Sequence, residues 1–408
     1  LMRFASVDFY GAPRTYLNAM TLGAIQTPVG TLLASATGGG TIMPEGVFAR
    51  TNEATLTFTA TPAEGRRFLR FEVNGLAQST LSNTLALAIS TNMPYAQHTV
   101  QAVFVDGYYV DGVNGDDTNS GETEDQPFKT IQKAISLAMD GDIVRVKPGI
   151  YAETPQVIPN AGQSSLARLV VTNNITVQAT DGAEKTIILG ARDPETPHGC
   201  GSNAVRCVWM SQGKLIGFTL TGGATAMQGN ADGCGGGFAA LSTTYTPQAI
   251  ACVISNNVAW VTGGASHWGT IHRTLIADNS AVLRSVVYSA AGPHSARIYD
   301  SVVINNTNGL YAASYLDAYN VTVVNPLPIF SGTYVNSIVV NTDPTGIFFR
   351  TDGAASQFSY CCLSGSIPAA NNSGNNLYVD PLILAPEHND FRLHTLSACI
   401  NSGNTAAG

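Results

Sequence analysis

From Gly222 onward the chain carries few side chains able to do acid–base work. Asp232, Arg273, Asp278, Arg284, Arg297, Asp300 and Asp317 are scattered among apolar and small polar residues. His267, His272 and His294 lie in the same stretch, and Trp268 follows the first of them. Hydrolysis of a glycosidic bond needs two carboxylates facing each other across it. Elimination from an acidic polysaccharide needs a Lys or Arg base, often beside acidic Ca²⁺ ligands. No Asp or Glu pair recurs beside a Lys or Arg at a spacing that assembles either device. A His–Trp surface could grip a sugar ring, and it could equally be a set of ordinary outward residues on turns.

A second constellation lies upstream. Asp111, Asn114, Asp116, Asp117 and Asn119 place several hard oxygen ligands within one short loop, as Ca²⁺ prefers, although without the EF-hand spacing. The same residue types form solvated Asx turns without any ion, so Ca²⁺ is the one cofactor the sequence offers, against none at all. The seven cysteines all lie beyond residue 199, and none forms a C-x-x-C pair, which argues against zinc. Cys200 and Cys207 bracket a short polar loop and are the expected disulfide, with the remaining thiols expected as small apolar core filling.

Charged residues are only 12% of the chain while hydrophobic ones are 44%, and there are 41 glycines. Such a composition favours strands and turns and leaves little material for helices. The net charge of −8 and the lack of any lysine after Lys214 argue against nucleic acid as a partner. No run is long and apolar enough to span a membrane. The chain opens on Leu1 without a signal-peptide pattern, as expected of a processed or excerpted end. An extracellular or cell-surface location is the expectation.

The elements that position these residues fall into three blocks. Residues 27–105 show strand alternation in Ala54–Thr55–Leu56–Thr57–Phe58–Thr59–Ala60 and in Thr99–Val100–Gln101–Ala102–Val103–Phe104, one face inside and one in water. With Gly65–Arg66–Arg67–Phe68–Leu69–Arg70–Phe71, this block resembles the small β-domains called internalin-type B repeats, Phe71 standing where Trp is usual. The resemblance implies a spacer or stalk module. Residues 106–408 open with Pro127–Phe128–Lys129–Thr130–Ile131–Gln132–Lys133–Ala134–Ile135, whose spacing predicts an amphipathic helix over 127–138 with Phe128, Ile131, Ile135 and Ala138 on one face. Gly141–Asp142–Ile143–Val144–Arg145–Val146–Lys147–Pro148–Gly149–Ile150–Tyr151 follows. Coils then recur at roughly twenty residues. Each has a small residue, an apolar triplet and Asn or a stand-in, as in Cys252–Val253–Ile254–Ser255–Asn256 and Ser301–Val302–Val303–Ile304–Asn305. The triplets are expected to stack inward and the asparagines to form ladders at the turns.

These motifs resemble the pectate-lyase-like superfamily, which implies an all-β fold: a right-handed parallel β-helix with a helix covering its first coil. The first block, residues 1–26, reads differently. Ser397–Cys399–Ile400–Asn401–Gly403 at one end and Asp8–Gly11–Pro13–Arg14 at the other, once joined, resemble the closing coils of one β-helix. An uncapped coil end is a template for another chain. The segment supplies Phe4, Val7, Phe9, Tyr10, Leu17, Leu22 and Ile25, and the helix end supplies Cys399 and Ile400. The expectation is that residues 1–26 finish the β-helix of a preceding unit, making the chain a non-enzymatic link of an extracellular filament or tandem fibre whose partners are copies of itself. The rival expectations are a secreted polysaccharide lyase or hydrolase and a glycan-binding adhesin.

Overall fold

The computed structural model describes residues 15–16, 19–20, 30–50, 55–63, 66–78, 82–88, 97–159, 165–240, 247–283, 290–309, 311–327, 329–342, 349–350, 357–367, 369–388 and 390–404. Phe4, Val7, Phe9, Tyr10, Leu17, Leu22 and Ile25 lie outside them. The chain divides into two units between Asp106 and Gly107.

In the first unit, Gln97–Val105 lies at the centre of a five-stranded sheet, parallel to Gly30–Thr37 and antiparallel to Arg67–Val73. A three-stranded sheet sets Thr55–Pro62 between Gly40–Met43 and Thr84–Ala88. The alternation read from the sequence holds: Leu56, Phe58 and Ala60 are buried while the threonines between them are exposed. Phe71 is fully buried, its ring 4.8 Å from that of Phe68, so a phenyl fills the place an indole would. At Gly38, with φ +80°, an added Cβ would sit 1.8 Å from the Phe104 carbonyl oxygen, which leaves room only for glycine.

The second unit is a parallel β-helix. A nine-stranded sheet takes one strand per coil from Gly149–Tyr151 to Cys362–Leu363, and every pair in it is parallel. Its central residues pair rung on rung: Leu220 with Ile254, Ile276, Val303, Val323, Val339 and then Leu363. All are buried. Each fully buried aliphatic side chain of such a stack contributes about 2 kcal/mol. The second, longer sheet stacks Val177, Leu215, Ala249, Ile271, Ile298, Ala318, Tyr334 and Phe358 toward the same core. Equivalent residues along these two stacks lie between 16 and 38 residues apart, so the extra length of some coils leaves as loops.

Two polar ladders fix the register. The small residues before the triplets form the first: Cys252 N–H donates to Thr274 Oγ1, and Thr274 N–H donates to Ser301 Oγ. The second is an asparagine ladder, shifted by one residue from the sequence expectation. Asn256, Asp278 and Asn305 do not stack their side chains; they turn the chain, with φ of 56°, 57° and 49°. The residues after them, Asn257, Asn279 and Asn306, are fully buried. Asn257 Nδ2 donates to Asn279 Oδ1 at 3.0 Å, and Asn279 Nδ2 to Asn306 Oδ1 at 2.9 Å. The left-handed turn needs a residue that tolerates positive φ, and the buried position after it needs an amide that both donates and accepts; asparagine serves both for different reasons.

The helix is shorter than the expected 127–138 and spans Ile131–Leu137, with Thr130 as its N-cap accepting from Lys133 N–H. Residues 127–130 are kept extended because Phe128 exchanges backbone hydrogen bonds with Tyr109 and Asp111. The apolar face is as read: Phe128, Ile131, Ile135 and Ala138 are all buried against the first coils. Glu153 accepts from the N–H groups of Ile131 and Gln132 and ties the helix start to the coil below it.

The asparagine ladder generates a prediction. Asn279→Ala removes donors and acceptors from two neighbouring coils and leaves buried partners unsatisfied. The expected loss is about 3 kcal/mol, read as a fall in the urea midpoint; a change below about 0.5 kcal/mol would mean the ladder does not set register.

Candidate functional site

The strand Val205–Met210, VRCVWM, is buried throughout. Cys207, Val208 and Met210 join the β-helix core. Trp209 faces outward and packs with Ile158, Ala167, Val170 and Ala239. The parallel register carries this outer row onward: Trp209 pairs with Ala239, Ala239 with His267, and His267 with His294. Two large rings are therefore separated on the row by one methyl group. The space opened there is a notch lined by Arg206, Trp209, Asp232, Ala239, His267 and Trp268 among others.

Arg206 is 2% exposed, at the back of this notch. Its Nε donates to the Cys234 carbonyl at 3.1 Å and its Nη2 to the carbonyls of Ala231 and Asp232. Those acceptors belong to the 3₁₀ turn Ala231–Gly233, capped by the Asn230 side chain, and to Cys234, its C-cap. Nη1 has no hydrogen-bond acceptor among the described residues. Burial pulls the guanidinium down to about 10, with the Cys234 and Asp232 groups acting against it, so it keeps its charge at neutral pH. A buried cation with one unsatisfied N–H edge carries a desolvation cost that a bound anion would relieve.

The histidines serve the notch as neutral rings. Burial holds His267 well below the ordinary imidazole value, and the charges of His294 and Arg206 add to that. Burial likewise brings His294 down to about 4, and its Nδ1 shares a 2.6 Å hydrogen bond with Ser314 Oγ. His267 stacks on Trp268 at 4.2 Å between ring centroids and on His294 at 5.3 Å. Trp268 holds its place with φ of 62°. The result is an aromatic shelf beside a buried positive charge. A separate ladder of His272, Tyr299 and Tyr319 stacks at 4.7 and 5.2 Å farther along the sheet.

The remaining candidates are placed as follows. Arg273, Asp278 and Asp300 occupy left-handed turn positions, with φ of 47°, 57° and 49°. Arg297 and Asp317 pair across adjacent coils at 3.5 Å on the surface. Arg284 lies outside the described residues. In the acidic loop, Asp111 Oδ1 accepts from Val113 and Asn114 N–H, and Asp116 Oδ1 accepts from Thr118. Asp117 accepts from Lys129 and Thr130, and Asn119 Nδ2 donates to the Pro127 carbonyl. These oxygens bind their own loop and the entry to the helix. No group of three or more His, Cys, Asp or Glu positioned to hold a metal ion exists among the described residues.

The disulfide expected between Cys200 and Cys207 is not formed, and all seven thiols are free. The two face different clusters: Cys200 packs with Ala204, Ala224 and Val258, whereas Cys207 sits in the β-helix core and donates to the Thr221 carbonyl. Cys200 lies in the loop before the strand Val205–Met210 that carries Cys207.

The sequence reading passed over Arg206 and Trp209. The signal was present: an arginine inside an otherwise apolar strand needs a partner or a purpose.

Both buried histidines make stability depend on pH. An unfolded histidine takes up a proton near 6.5, whereas folded His294 does so only near 4. Between those values the unfolded chain binds more protons, so stability falls as pH is lowered from 6.5 toward 4 and is fully present above 6.5. His294 alone accounts for about 3 kcal/mol of that fall. Urea midpoints measured across this window should drop, and should drop less in His294→Gln.

Residues 30–123 match the family described as the divergent InlB B-repeat domain. Residues 113–160, which hold the acidic loop after Asp111, the helix and the first coil, match a family described only as a protein of unknown function, DUF1565. No curated protein matches the chain. Similar solved structures include the pectate lyase Pel9A, at 13% identity and a TM-score of 0.43, covering 73% of this chain and 91% of that one. They include a rhamnogalacturonan lyase at 13% identity and 0.35, covering 74% and 97%. A pectin methylesterase from Aspergillus niger follows at 12% and 0.36, covering 67% and 87%. The chain thus joins a block similar to the divergent InlB B-repeat domain to a parallel β-helix.

Proposed function

We propose that the β-helix is a glycan-binding rod that works outside the cell, and that its notch takes the carboxylate of an acidic sugar. The observation that carries this reading is the Nη1 edge of Arg206, buried, charged and without an acceptor among the described residues, in a notch that Trp209 and Trp268 also line. A carboxylate matches the planar donor edge of a guanidinium, and the apolar face of a pyranose matches the face of an indole. The small side chain of Ala239 keeps the path open. A neutral sugar would leave the guanidinium edge unsatisfied, which is the basis for selectivity.

The test is a titration followed by tryptophan fluorescence, using oligogalacturonate and its methyl ester on the full chain. The expected result is saturable binding of the acid form, at least about tenfold weaker for the ester, with the oligosaccharide recovered intact. Ala239→Leu fills the notch without touching the charge and is expected to abolish binding. Equal affinity for acid and ester, or full binding by Ala239→Leu, would overturn the assignment.

A second reading has its own support. Tyr378, Val379, Leu382, Leu384, Leu396 and Ile400 are all exposed near the last coil, Leu396 at 79%. An apolar end of this kind favours association. The occupant we propose is the 1–26 segment of another copy, whose apolar residues would complete the rod head to tail, with Cys399 and Ile400 at the junction. Light scattering over rising protein concentration should then show growing oligomers that Leu396→Asp with Ile400→Asp prevents. A wild-type chain that stays monomeric at about 100 μM removes this reading.

A further inference from the structure

The chain returns to its own last coil near its end, and two thiols meet there. Cys362 opens the final strand of the nine-stranded sheet, Cys362–Leu363, and is buried, with its Sγ 3.4 Å from the Val379 carbonyl oxygen. The chain then passes through the hairpin Ile383–Ala385 and Asp390–Leu393 before turning at Ser397. The returning segment is fastened by a reciprocal pair: Asn404 N–H donates to Asn336 Oδ1 at 2.7 Å, and Asn336 Nδ2 donates to the Asn404 carbonyl at 2.9 Å. Between segment and coil lies a cavity of about 460 Å³ lined by Asn336, Cys362, Cys399 and Asn401 among others. Cys399 is only partly buried, and the Cys362 and Cys399 side chains share a hydrogen bond.

We propose that Cys362 and Cys399 form a redox site whose oxidation pins the returning segment to the last coil. The oxidant is a low-molecular-weight disulfide such as oxidised glutathione. Cys399, the more accessible thiol, loses its proton and attacks one glutathione sulfur; the glutathione S–S bond breaks and the first thiolate leaves with that proton. Cys362 then loses its proton and attacks the Cys399 sulfur, and the second glutathione leaves as its thiol. Two protein thiols are oxidised and one disulfide is reduced to two thiols.

The order follows from the surroundings. Burial pushes the Cys362 thiol up to about 12, with Cys399 adding to the rise, so the exposed partner reacts first. The other five thiols are buried, and four of them donate to nearby carbonyls: Cys207 to Thr221, Cys234 to Asn230, Cys252 to Ile250 and Cys361 to Ser359. Cys361, although adjacent to Cys362, lies in the core on the opposite face of the strand. The bridge therefore has one pairing open to it.

Arg392 supplies the readout. Its guanidinium is 80% exposed within the segment the bridge would close, and trypsin cuts after arginine. The full chain is equilibrated in a buffer of oxidised and reduced glutathione, then digested, and the peptides are weighed without reduction. The expected result is a linked pair of peptides containing Cys362 and Cys399, two hydrogens lighter than their sum and free of glutathione. In the oxidised protein under native conditions, cleavage after Arg392 is expected to slow by about tenfold or more. Dithiothreitol restores the fast rate, and Cys399→Ser, a partly exposed and conservative change, shows neither the link nor the slowing. Glutathione retained on Cys399 without a link, a link between other cysteines, or cleavage that is unchanged by oxidation would each overturn the proposal.

Discussion

Everything in the β-helix depends on coils stacking in register, and the buried amides of Asn257, Asn279 and Asn306 are what make register all-or-none. An apolar stack such as Ile254, Ile276 and Val303 supplies most of the favourable free energy, but it is forgiving. Val, Ile and Leu can slide past one another at modest cost. The asparagines cannot. Each accepts from the backbone N–H of the coil before it and donates to carbonyls around it. Slipping one coil by a residue would orphan several buried polar groups at once, at about 1 to 3 kcal/mol each, and would also turn the apolar residues outward. The hydrophobic term sets how stable the rod is; the polar ladder sets which rod it is.

The notch is a by-product of that register. Because successive coils repeat the same orientation, the outer row reads Trp209, Ala239, His267, His294 and Ser314 without interruption. One small residue in a row of rings opens a gap. Arg206 can stay charged behind it because the Ala231–Gly233 turn and its C-cap Cys234 together offer three carbonyls. The neutral histidines add rings without adding charge, so the Arg206 guanidinium faces the gap with Asp232 as the other charged residue lining it. At the other end of the rod, Leu377 adds one parallel bridge beyond Cys362, and the chain then folds a short hairpin and a turn over the side of the last coils.

Much of this was legible in the amino-acid sequence, and the failures have physical reasons. The triplets in Val253–Ser255, Leu275–Ala277 and Val302–Ile304 were readable because a β-branched or aliphatic residue repeats between a small residue and an asparagine. The ladder was placed one residue early because two consecutive asparagines, Asn256 and Asn257, do different jobs that composition alone does not separate. The helix was drawn too long because Pro127 suits a first turn, whereas Phe128 is held extended by pairing with Tyr109 and Asp111. The Cys200–Cys207 bridge failed because closeness in sequence does not show that a loop residue and a strand residue pack into different clusters. The notch was hidden because its parts, Arg206, Trp209, Ala239 and His267, come from three coils and meet only through register. Trp268 and His267 were noticed as a pair, but nothing in the chain order joins them to Arg206.

The most direct test of this account is a crystal structure of the protein soaked with a short uronate oligosaccharide. The account predicts a carboxylate oxygen within hydrogen-bonding distance of Arg206 Nη1 and a sugar ring lying against the Trp268 indole. A sugar bound elsewhere on the rod, with Nη1 still buried and untouched by it, would contradict it.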